Sequence, residues 1–198
     1  MNTEKSYTDV LFRNLKKFTR LDDEAIHALV RDIPVTTARK GEVLLRQGDE
    51  PGHSFYLMKG CVRQYACDAQ GKEATVNFFV EEEPINMFSF ADAAGASLYS
   101  LSCLEDCALV ECADTDPENA QPDAAIDGMK QQMFAKQYTD MQKHYASFRL
   151  LSSEERLQQL IAQRPELLDR VPQVYLASYL GITPEAFSRI KKRLQAGG

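Results

Sequence analysis

The most chemically specific side chains lie near the C-terminal end, where Pro184-Glu-Ala-Phe-Ser-Arg189 runs into Lys191, Lys192 and Arg193. A carboxylate such as Glu185 can accept a hydrogen bond from the amino group of cytosine. A guanidinium such as Arg189 can donate two parallel hydrogen bonds to O6 and N7 of guanine. Pro184 has no side-chain donor and reads no base. Groups of this kind discriminate bases only when a rigid element carries them, so the surrounding residues decide whether the chemistry is usable.

Those residues predict two short helices joined by a tight turn over 174–190. Leu176, Leu180, Ile182, Phe187 and Ile190 supply apolar contacts between the helices, and Ala177 is small where they approach. Gly181 stands where the chain leaves the first helix and needs positive φ. Thr183 can cap the second helix, with Pro184 at its first position and Glu185 in its first turn. Small, glycine, cap and apolar positions agree on a DNA-binding helix-turn-helix, against the plainer alternative of a helical hairpin that carries basic residues.

Charge is distributed accordingly. The chain of 198 residues has net charge -6, with seven basic and five acidic residues in 151–198 against 16 and 24 in 1–150. An acidic body with a mildly basic end orients that end toward nucleic acid. The hydrophobic fraction of 44% and charged fraction of 26% are those of a soluble globular protein. No apolar run has the length of a signal peptide or a membrane span, so the expected location is the cytoplasm, with no membrane partner.

The five cysteines, Cys61, Cys67, Cys103, Cys107 and Cys112, are odd in number and unevenly spaced, without a Cys-x-x-Cys pair. That disfavours a disulfide framework and a zinc ribbon and leaves buried reduced thiols, with a redox or iron–sulfur sensor as the other reading. His27, His53 and His144 have no metal-ligand spacing. Only His53 falls in the β region, too few imidazoles for a cupin-like metalloenzyme. No metal, cofactor or catalytic residue is expected.

The middle of the chain reads as β structure. Glycine turns punctuate short apolar runs over 40–49, 54–65 and 73–80, with a hairpin turn at Asp68-Ala-Gln-Gly71. Further strands are expected at Ile85–Phe90, Ser97–Leu104 and Ala108–Cys112. This pattern points to a barrel or jelly roll, preceded by amphipathic helices over Tyr7–Phe18 and Asp22–Arg31. A long helix from about 121 to 148 carries the apolar stripe Ile126, Met129, Met133, Tyr138, Met141, Tyr145 and Phe148, suited to pairing with a second copy or to packing on the barrel. Ser152 and Glu155 form a capping-box start for the next helix, which places a hinge near Leu151.

Gly41-Glu42, Gly48-Asp49, Tyr56-Leu-Met-Lys-Gly60-Cys-Val and Gly71, followed by the helix-turn-helix, resemble the Crp/Fnr superfamily of transcription regulators. The resemblance implies an α+β chain. A cyclic nucleotide-binding-like jelly-roll sensor would occupy 1–120, a dimerisation helix 121–150 and the helix-turn-helix domain 151–198. The chain ends soon after the recognition helix, so the wing is expected to be missing or vestigial.

The same resemblance assigns Glu185, Ser188 and Arg189 to base reading, where better-known relatives have Arg-Glu-x-x-x-Arg. It assigns Gln173, Thr183 and Lys192 to the DNA backbone. The sequence departs from nucleotide-binding relatives. Asn86-Met87-Phe88 stands where a ribose-binding Gly-Glu-Leu belongs, and Ser97-Leu98 where an arginine meets the cyclic phosphate. No basic residue occurs between Lys72 and Lys130. A buried phosphate would lack compensation there. An apolar effector pocket lined by Phe78, Met87, Phe88, Ser97 and Tyr99 is expected, and cyclic AMP and cyclic GMP are not. An iron–sulfur centre of the Fnr type would need a cysteine cluster ahead of Cys61, which this sequence lacks.

The sequence thus predicts a non-enzymatic, homodimeric DNA-binding regulator controlled by some other effector or by none. The partners implied are a near-palindromic operator, a second copy of the chain, RNA polymerase and an unidentified small molecule. The competing class is a cyclic nucleotide-binding regulatory module that acts through a protein partner.

Overall fold

The computed structural model of the chain describes residues 3–19, 21–31, 33–112 and 124–196. The side chains of Phe88, Ile126, Met129 and Met133 lie outside the described residues, so those four expectations have no counterpart below. No helix among the described residues is long and apolar enough to cross a membrane.

Helices α1 (Thr3–Phe18) and α2 (Asp23–Arg31) come first. Asp22 caps α2 by accepting the Ala25 N–H at 2.8 Å. The strands follow as β1 (Val35–Ala38), β2 (Val43–Leu45), β3 (Ser54–Lys59), β4 (Val62–Cys67), β5 (Glu73–Phe79), β6 (Pro84–Ile85), β7 (Ser100–Cys103) and β8 (Cys107–Cys112). They form two antiparallel four-stranded sheets in the orders β1-β8-β3-β6 and β2-β7-β4-β5, the jelly roll that the glycine-punctuated runs predict.

Side-chain alternation explains the packing. Leu57, Val62, Phe79, Leu101 and Leu109 point between the sheets. Met58, Ala108 and Val110 point the other way and are covered by Leu11, Ile26 and Val30 of the two helices. Phe78 on the second sheet and Cys61 in the turn before β4 point outward and are covered by the C-terminal helices.

Two expected strands are shorter than the sequence suggests. The run Ile85–Phe90 is strand only at Pro84–Ile85, and Met87–Phe90 turns as a 3-10 helix. A short apolar run carries no periodicity that separates the two conformations. Ser97–Leu104 is strand only over Ser100–Cys103. Ser97 pairs instead with the turn after β2, donating its N–H to Asp49 and accepting that of Gly48, both at 2.8 Å. Between β3 and β4, Gly60 has φ +103°, and a β-carbon there would stand 2.6 Å from the Cys107 sulfur and 2.9 Å from the Asp106 carbonyl oxygen.

Helix α3 (Ala124–Leu150) leads to α4 (Ser153–Gln163), α5 (Leu167–Arg170), α6 (Gln173–Tyr179) and α7 (Pro184–Ala196). The predicted capping box starts α4: Ser152 N–H donates to Glu155 at 2.7 Å, and Glu155 N–H donates to the Ser152 hydroxyl at 3.3 Å. Leu157, Leu160, Leu167, Leu176, Phe187 and Ile190 form the core of these helices, and Cys61 and Phe78 of the jelly roll complete it.

Candidate nucleic-acid interface

Helices α6 and α7 meet through buried Leu176, Ala177, Leu180, Phe187 and Ile190. Gly181 has φ +67° at the exit from α6. Its N–H donates to Ser178 and that of Ile182 donates to Ala177, both at 3.0 Å, which closes the first helix. The Thr183 hydroxyl accepts the Ala186 N–H at 3.2 Å and so opens the second. Each local signal in 174–190 produces the backbone feature it predicts.

The geometry of α7 sorts its side chains. Phe187, Ile190 and Leu194 face the core, while Glu185, Ser188, Arg189 and Lys192 follow i, i+3, i+4, i+7 spacing along the opposite side. Glu185, Arg189 and Lys192 are exposed, as are Gln173 and Thr183. Ser188 is half-buried and donates to the Gln173 side-chain oxygen at 3.3 Å, joining the start of α6 to the exposed side of α7. Its own backbone N–H and then Thr183, both at the start of α7, hold the Glu185 carboxyl below the usual range. Arg193 is tied to Glu154 at the start of α4.

The helix-turn-helix is docked onto the jelly roll by residues that sequence reasoning missed. Arg170 makes four charge-assisted hydrogen bonds, two to Glu81 at 2.7 and 2.8 Å and two to Glu105 at 2.9 and 2.7 Å. Glu81 also accepts the Gly60 N–H at 2.9 Å. Arg164 donates to the Phe78 carbonyl at 2.9 Å. Arg63 is buried with its guanidinium 4.4 Å from the Tyr65 ring centre and 3.9 Å from that of Tyr175 in α6. It donates to Thr75 at 2.9 Å and Glu73 at 2.5 Å, while the Thr75 N–H donates to Ser178 of α6 at 2.9 Å. No local pattern in the sequence marks these arginines, because their partners are remote in the chain.

Helix α3 touches the same assembly. His144 stacks on Tyr179 with ring centres 4.4 Å apart and meets Phe148 edge-on at 5.0 Å. Burial and then the Arg156 charge push the imidazole pKa down, so the neutral ring is favoured. Arg156 lies over the Phe148 ring and donates twice to the Leu180 carbonyl, at 3.2 and 3.0 Å. Of the expected dimer stripe, Tyr138, Met141 and Tyr145 are 61%, 58% and 64% exposed and Phe148 is 40% exposed.

The expected effector lining is not brought together as a set. Met87 lies in the jelly-roll core. Ser97 is buried, its hydroxyl donating to the Tyr99 carbonyl at 2.8 Å and accepting the Tyr99 N–H at 3.2 Å. Tyr99 meets Phe90 edge-on at 5.8 Å. Phe78 is the correction. It points out of the jelly roll toward Tyr179, ring centres 5.3 Å apart, and its neighbour Phe79 takes the interior position. Both faces of this strand are covered, so adjacent phenylalanines give no clue to which points inward.

Comparison with known proteins agrees with this geometry. Residues 35–116 match the cyclic nucleotide-binding domain family. FixK2 from Bradyrhizobium japonicum superposes with a TM-score of 0.67 at 16% identity, covering 84% of this chain and 86% of that one. A transcriptional regulator of the CRP/FNR family from Thermus thermophilus gives 0.64 at 17% identity, covering 83% and 87%. CLP, a global regulator from Xanthomonas campestris described as responsive to c-di-GMP, gives 0.65 at 18% identity, covering 89% and 93%. No curated protein sequence matches significantly. These likenesses establish the fold of CRP/FNR family regulators over most of the chain.

Proposed function

We propose that this chain is a homodimeric, sequence-specific DNA-binding transcription regulator of the Crp/Fnr kind that acts in the cytoplasm. The observation that carries the reading is the single exposed side of α7, where Glu185, Ser188, Arg189 and Lys192 align on a helix capped by Thr183 and braced by α6. Glu185 and Arg189 read bases, Ser188 assists from the same side, and Gln173, Thr183 and Lys192 hold the phosphate backbone.

The segment 121–150, which includes helix α3 (Ala124–Leu150), serves dimerisation and separates a sensor at 1–120 from a DNA-binding domain at 151–198. The exposed Tyr138, Met141 and Tyr145 support pairing with a second copy. Pairing sets two recognition helices roughly 34 Å apart on a near-palindromic site. The effector is something other than cyclic AMP or cyclic GMP, or is absent. Met87 is committed to the core, the Ser97 hydroxyl is engaged by Tyr99, and buried Arg63 faces Tyr175 outside the jelly roll. An effector acts by preferring one arrangement of the paired helices, to the extent that its affinities for the two states differ.

Selection from a random duplex pool with the full chain tests this reading. The expected result is enrichment of a two-fold symmetric site with half-sites one helical turn apart. Retention of DNA without any enriched sequence would refute it.

A further inference from the structure

We propose that Glu154 restrains DNA binding by holding Arg193 away from the phosphate backbone, an inference that rests on the reading of α7 as the recognition helix. Arg193 follows Arg189 by one helical turn and lies toward one edge of the exposed side of α7, while Ser188 lies toward the other. Each edge is bordered by the start of another helix. Ser188 donates to Gln173 in the first turn of α6, and Arg193 donates to Glu154 in the first turn of α4. The two borders differ in charge, an amide on one side and a carboxylate on the other.

A helix seated in the major groove has a phosphate backbone along each flank. The Gln173 amide offers N–H donors to one of them. The other flank is a groove of about 310 Å³ between α4 and α7, whose lining includes Ser153, Glu154, Ile182, Arg189 and Arg193. Arg189 belongs both to the exposed side of α7 and to this lining, so the groove adjoins the surface that meets DNA. Glu154 is the acidic member of the lining, and the Arg193 side chain beside it is 60% exposed.

An ion pair this exposed contributes little to folding. Its larger effect is on the charge that DNA meets. A free guanidinium on this flank pairs with a phosphate in bidentate fashion and releases a condensed counterion. Bound to Glu154, the same group presents no net charge, and the carboxylate repels the phosphate nearest to it. The contact given up is independent of sequence, so affinity falls for random DNA as it does for the operator. Weaker backbone binding shortens the stay on random sites, and retention at the operator depends more on Glu185 and Arg189.

The test compares the full-length protein with Glu154→Gln, titrating a random-sequence duplex and the site enriched from the random pool at several salt concentrations. Ser152 and Glu155, which cap α4, are left in place. Glu154→Gln should bind both duplexes more tightly by similar factors and steepen the salt dependence by roughly one. Its advantage should shrink roughly three- to fourfold between about 50 and about 200 mM salt. Arg193→Gln, which leaves Glu154 unpaired, should weaken binding to both duplexes, and the double variant should return to the parent's salt slope. Glu24→Gln removes an exposed charge from α2 and should change nothing. Unchanged affinity in Glu154→Gln, or an equal gain in Glu24→Gln, would overturn the proposal and leave the DNA-binding reading intact. A parent chain that binds neither duplex would overturn both.

Discussion

A β-carbon at Gly181, in the turn of the helix-turn-helix, would stand 2.8 Å from the ring of Phe148 near the end of the long helix α3. The ring cannot simply swing away, since Arg156 lies over it and His144 meets it edge-on. The left-handed conformation at Gly181 adds its own cost for any other residue. Gly181→Ala should therefore lower stability by about 1–2 kcal/mol. Chemical denaturation checks this, and Phe148→Leu in the same chain should recover the steric part of the loss but not the conformational part.

The two proposed kinds of DNA contact separate by salt and sequence. Arg189→Ala should cost about 1–3 kcal/mol on the cognate site and relax its sequence preference. Lys192→Ala should weaken cognate and random duplexes by similar factors and reduce the salt slope by roughly one. Equal behaviour of the two variants in binding titrations would show that the roles are misassigned.

The exposed stripe on α3 gives a prediction about assembly. Met141→Glu places a carboxylate against its symmetry mate in the proposed dimer, where a desolvated like-charge pair is unfavourable. Sedimentation should report monomers, and operator affinity should collapse with the dimer. A dimer that persists with both charges would place the seam on another surface.

Cyclic nucleotides should leave the protein unchanged. A ligand selective for the folded state adds about 2.7 kcal/mol at one hundred times its dissociation constant, so tight binding is visible in a melting curve. With cyclic AMP or cyclic GMP at about millimolar concentration, the melting temperature and operator affinity should not move. A saturable rise with either would mean that a group other than an arginine at position 97 compensates the phosphate.

His144 predicts a pH dependence of a defined sign. Its folded pKa lies below the ordinary value of 6.5, so the unfolded chain binds more protons as pH falls through that value. The stability its neutral ring contributes is present above 6.5 and is lost as pH drops toward the folded pKa. His144→Phe keeps an aromatic ring against Tyr179 but removes the titration. Between about pH 7.5 and 5.5 the variant should lose less thermal stability than the parent. Identical slopes would show that His144 does not couple to folding in that range.

The helix-turn-helix is readable in the sequence because its determinants are local: the Thr183 cap, the Gly181 turn and the apolar positions all act within a few residues. The jelly roll is readable for the same reason, through turns such as that at Gly60. Strand lengths near Met87 and Ser97 are not, because a short apolar run carries no periodicity at Met87 and hydrogen bonds to a distant turn hold Ser97. The orientation of Phe78 is hidden by the covering of both faces of its strand. The clamp on Arg170 is hidden by distance, since Glu81 lies 89 residues away in the chain. Lines of apolar residues carry their meaning with them, whereas a salt bridge acquires its meaning only after folding.

Cys61 and Phe78 complete the core that Leu157, Leu176 and Phe187 begin, so the C-terminal helices borrow part of their interior from the jelly roll. The helix-turn-helix end is consequently not an interchangeable cassette. A chimaera that grafts it onto another jelly roll inherits the cap, the turn and the exposed side chains of α7, yet leaves a cavity where Phe78 inserts and orphans Arg170 from its two carboxylates. Transplantation would require carrying Cys61, Phe78, Glu81 and Glu105 across with the helices, which makes the natural unit of exchange larger than the last quarter of the chain.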